Sequence, residues 1–110
     1  MIVSSNFNRL YHSVLNDAKS LPLMVVDMYG DDFQLRPRSI NFESFKQLCK
    51  MLNTNYPKVN GKAISTRDIN SKDLTLHVEW LINTVYANGG TVAIQEDEWK
   101  RIINGIRRNR

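Results

Sequence analysis

The stretch SKDLTLHVEWLINTVYANGG, residues 71–90, constrains the chain most, because it alone is long and periodic enough to specify a helix by itself. Leu74, Val78, Leu81, Ile82 and Val85 recur at three- and four-residue spacing, which puts them on one stripe of a helix with about 3.6 residues per turn. That stripe is expected to face a core. Asn70 or Ser71 can cap the first turn, Asp73 lies where the helix dipole favours an anion, and Asn88-Gly89-Gly90 offers the left-handed residue that ends helices. Leu76 and Trp80 fall on the opposite side, so this helix needs apolar cover on two faces. A second layer of the same chain, or a partner, must supply it.

The flanking sequence predicts the rest of an α+β unit. Residues 5–18 read as a helix with Phe7, Leu10, Tyr11, Val14 and Leu15 on one stripe, Ser4 or Ser5 as cap, and His12 at the stripe's border. Pro22 breaks that pattern, and residues 23–29 and 33–36 read as two strands turning at Gly30-Asp31-Asp32. After Pro37, Asn41 caps a helix at about residues 42–53 that carries Phe42, Phe45, Leu48, Cys49 and Leu52 on one face. Asn60-Gly61 is a strong two-residue hairpin signal, although its flanks are short and basic. Ser65-Thr66-Arg67-Asp68 fits one short helical turn before the main helix, and residues 91–95 read as a strand with Val92 and Ile94 on one side. The final helix, residues 96–108, places Trp99, Ile102, Ile103 and Ile106 on its apolar stripe and ends in a basic tail, residues 107–110, expected to fray. The expected architecture is four helices with a small antiparallel sheet, in one compact domain spanning residues 1–110.

Composition removes several classes. At 110 residues the chain suits a single core, and no apolar run approaches the roughly 20 residues of a membrane span. The start, MIVSSNFNRLYHS, lacks the basic-apolar-small order of a secretory signal, which makes the cytoplasm the expected location. The single cysteine, Cys49, precludes an internal disulfide, and with two distant histidines it supplies no four-ligand zinc set. No metal, cofactor or small-molecule substrate is expected. Twelve Asn against four Ala resemble the usage of an AT-rich coding sequence, an association that points to phage or plasmid origin.

Catalytic candidates are scattered singles. Cys49 has no visible cationic partner to lower its pKa and reads as a small buried apolar residue; His77, between Leu74 and Trp80, reads as a boundary residue. Tyr29-Gly30-Asp31-Asp32 resembles the metal-binding hairpin of viral RNA polymerases. That site needs a further aspartate on a neighbouring strand and far more chain, so the two acids read as a solvated turn. Gly89-Gly90 leads out of a helix and not into one, so it is no phosphate loop. No catalytic residue is assigned.

Charge and the two-faced helix leave two kinds of function. Residues 1–35 carry two bases against four acids, a net −2, whereas residues 36–110 carry thirteen against seven, a net +6. The short helical turn, the main helix and the strand at residues 91–95 echo a helix-turn-helix followed by a wing, with Lys58, Lys62, Arg67 and Lys72 near its start and Arg107, Arg108 and Arg110 in the tail as phosphate contacts. Glu79 on the would-be recognition helix opposes that reading, and the expectation is a small basic DNA-binding regulator. The alternative is a protein-binding accessory module, an inhibitor or adaptor on a host protein surface, with Leu76 and Trp80 as its apolar anchor together with Trp99 or Tyr56. Self-association through the same face is a third outcome.

Overall fold

The computed structural model describes residues 5–26 and 29–108. In chain order these form α1 (Ser5–Lys19), β1 (Leu23–Val26), β2 (Asp32–Leu35), a 3-10 turn (Pro37–Ser39), α2 (Phe42–Leu52), β3 (Lys58–Val59), β4 (Lys62–Ala63), α3 (Ser71–Ala87) and α4 (Glu96–Arg108). The architecture is α+β, as the apolar periods predict, but among the described residues the strands make two separate antiparallel pairs and not one sheet.

Local chemistry explains the boundaries. The Asn70 side chain accepts the Asp73 N–H at 2.8 Å, and the Asn41 side chain accepts the Ser44 N–H at the same distance, so both helices begin where a cap is present. Gly89, at φ +81°, ends α3 in the left-handed region. Asn60 and Gly61, at φ +53° and +78°, both have the positive dihedrals that a two-residue hairpin turn demands, which sets Lys58 against Ala63 and Val59 against Lys62.

Helix α1 packs on α3 and α4, with α2 against α1. The expected stripes meet at the centre: Phe7, Leu10, Tyr11, Val14 and Leu15 from α1 and Leu74, Val78, Leu81, Ile82 and Val85 from α3 are all buried. Phe45 and Cys49 from α2, Trp99 and Ile103 from α4, and Leu23 and Val25 from β1 complete this core. Burial of these side chains is the main driving term of folding.

Two expectations need correction. Residues 65–69 are a hydrogen-bonded turn and not a helix: the Ser65 carbonyl accepts from both Asp68 and Ile69, at 2.9 and 3.2 Å, and Asn70 then turns extended to cap α3. Residues 91–95 form no strand, because the Ala93 N–H donates to Asp17 Oδ2 at 2.9 Å in place of a ladder partner. Helix α4 runs from Glu96 through Arg108, the bounds expected from the sequence. Arg110, and residues 27 and 28 of the expected first strand, lie outside the described residues.

Candidate functional site

Helix α3 places a histidine where the boundary reading did not. His77 is 1% exposed, since residues 74, 77, 78 and 81 share one stripe at helical spacing, a signal already present in the sequence. Its Nδ1 lies 2.9 Å from Asn53 Nδ2, and an amide nitrogen only donates, so Nδ1 is the acceptor and Nε2 carries the proton. Tyr56 meets the ring edge-on at 4.8 Å between centroids, Tyr11 does so at 5.9 Å, and Trp80 stacks on it with 11° between planes. Burial, followed by the nearby charges of Lys50 and Lys58, pushes the His77 pKa down to about 3.

Burial shifts the neighbouring groups in the same sense, against their charged forms. Burial raises the Cys49 thiol and the Tyr56 phenol each to about 12, and it raises Tyr11 and lowers Lys50. Cys49 thus stays a thiol near neutral pH, the form that is a poor nucleophile. Lys50, missed in the sequence, is 2% exposed, with its ammonium 5.7 Å from the Tyr56 ring centroid. Among the described residues no three His, Cys, Asp or Glu groups gather to hold a metal.

The anchor expected on α3 is divided. Leu76 is 48% exposed, whereas Trp80 is half-buried, with one face on His77 and the core behind it. Trp99 and Tyr56 do not join them: at 7% and 3% exposure both fill the core, because Trp99 belongs to the inward stripe of α4 and the Tyr56 hydroxyl donates to the Ile64 carbonyl at 2.7 Å. Trp80 instead borders two hollows. One, of about 400 Å³, has polar walls that include Asn53, Asp73 and Asn83; the other, of about 300 Å³, runs between β1 and the ends of α2 and α3 and is bordered by Met24, Val26, Leu52 and Thr84. Met24 and Val26 are each more than half exposed, the outward residues of a strand that alternates buried and exposed.

The expected phosphate contacts are not brought into one set. The Lys58 ammonium donates to the Asn53 and Tyr56 carbonyls, both at 3.0 Å, and so closes the loop after α2. Arg107 donates from Nε to Thr75 Oγ1 at 3.2 Å and pairs with the Glu79 carboxylate, which ties α4 to α3. Lys62, Arg67, Lys72 and Arg108 are exposed. Leu74, Thr75, His77, Val78, Leu81, Ile82 and Val85 are all buried, so one face of α3 belongs to the core.

This site sits on an α+β scaffold of four helices and two hairpins among the described residues. No protein-family model, no curated protein and no solved structure matches the chain. No helix among the described residues is long and apolar enough to cross a membrane.

Proposed function

We propose that this chain is a protein-binding accessory module, an inhibitor or adaptor of phage or plasmid origin that works in the cytoplasm on a host protein. Its contact surface is centred on Trp80. The observation that carries this reading is the position of that one large aromatic between two hollows, beside the exposed side chains of Leu76, Met24 and Val26. An aromatic ring fixed from behind, with apolar neighbours and a polar rim, has the composition of an interface hot spot. Selection from a displayed random-peptide library tests it: wild type is expected to enrich binders that Trp80→Ala no longer retains. Equal enrichment by the two proteins overturns the reading.

A second reading, a basic DNA-binding regulator, is favoured by the exposure of Lys62, Arg67, Lys72 and Arg108 within the half of the chain that carries +6. It predicts duplex binding that falls steeply with salt. No duplex binding at low salt removes it.

A further inference from the structure

An antiparallel ladder alternates residue pairs that exchange both backbone hydrogen bonds with pairs that exchange none. The Met24 N–H donates to Asn88 Oδ1 at 2.7 Å, away from β2, so Met24 and its partner Gln34 form a pair of the second kind. Two residues on, Val26 and Asp32 form the next such pair. The Met24 C=O and the Val26 N–H and C=O therefore point outward from β1, along the groove of about 300 Å³ that Trp80, Leu52 and Thr84 border. Val25 also borders this groove, although its side chain is turned to the core. The hollow thus follows the backbone edge of the strand.

We propose that this edge takes an extended segment of the partner protein as an added strand running parallel to β1. One residue of that segment donates its N–H to the Met24 carbonyl and accepts the Val26 N–H, the acceptor and donor pair that a parallel neighbour engages. Asn88 keeps the Met24 N–H, because its Nδ2 is itself held by the Thr84 carbonyl at 2.8 Å. An apolar side chain of the segment enters the groove against Trp80. Charge selects the flank: α3 has no base in its last turn to offset the negative end of its dipole, and the exposed Asp32 stands opposite Val26. The segment therefore carries Lys or Arg beside its apolar residues.

This inference rests on the reading that the Trp80 surface binds protein, and the test separates the two. The probe is the capped peptide KTVTVTVK, with an alternately N-methylated copy and an acidic copy, ETVTVTVE. With saturating KTVTVTVK, exchange of the Val26 amide is expected to slow about tenfold, and the N-methylated copy is expected to give no protection. The acidic copy should bind more weakly. Val26→Pro removes only an outward N–H and should abolish binding while the protein still melts cooperatively. Binding that survives both N-methylation and Val26→Pro but is lost in Trp80→Ala overturns the added strand and leaves the Trp80 surface in place. Binding that ignores Trp80→Ala overturns the surface itself. No binding of the parent peptide, or a Val26 amide protected by self-association without peptide, overturns the added partner strand.

Discussion

Asn53 closes the loop after α2 by donating its side-chain amide to Nδ1 of His77 on α3 at 2.9 Å, with both residues buried. This bond needs a neutral imidazole, and burial holds the folded-state pKa down to about 3 against an ordinary value of 6.5. Between those values the unfolded chain binds a proton that the folded chain does not, so stability falls as pH falls from about 6.5 towards 3. The slope from this residue approaches about 1.4 kcal/mol per pH unit. Melting temperatures measured from pH 7 to 4 should drop, and His77→Gln, which cannot titrate, should flatten the drop between pH 6.5 and 5.

Leu81 and Val85 lie mid-stripe on α3 and are 1% and 0% exposed. Truncating either leaves a cavity that the packed stripes of α1 and α3 cannot close, so Leu81→Ala and Val85→Ala should each cost about 2–4 kcal/mol in chemical denaturation. Wild-type stability in both would mean that α3 buries another face.

Arg107 ties α4 to Glu79 and Thr75 of α3, and each charged side chain of the pair is about one-third exposed. Solvent weakens the pair, so Arg107→Ala should cost only about 0.5–1 kcal/mol. Deleting residues 107–110 should then lower the melting temperature as well, in contrast to the loss of a frayed tail. An unchanged melting temperature would show that the pair adds nothing to stability.

For the DNA-binding reading, each phosphate neutralised by Lys62, Arg67, Lys72 or Arg108 should add about −0.9 to the slope of log affinity against log salt. Neutralising the four together should flatten that slope, and neutralising Lys62, Lys72 and Arg108 should leave melting nearly unchanged, because these three are exposed. Lys58 should behave differently. Its ammonium closes a loop on two carbonyls, so Lys58→Ala should lower stability more than it alters the slope.

Period and punctuation were enough to place the helices. The stripe from Leu74 to Val85, the Asn70 and Asn41 caps and the Asn60-Gly61 turn act within a few residues of themselves, and local spacing and dihedral preference determine their outcome. Even the burial of His77 was readable at residues 74, 77, 78 and 81. Tertiary structure alone decided what became of the remaining polar groups. The Ala93 N–H found Asp17 across the fold and so residues 91–95 made no strand; Arg107 found Glu79; Lys58 turned inward to the end of α2. It also decided that Trp80 stands between two hollows, since its ring lies where neighbouring elements leave room for it. A hydrogen bond or ion pair between residues far apart in sequence is chosen by geometry that exists only once the core has packed, and no local pattern encodes it.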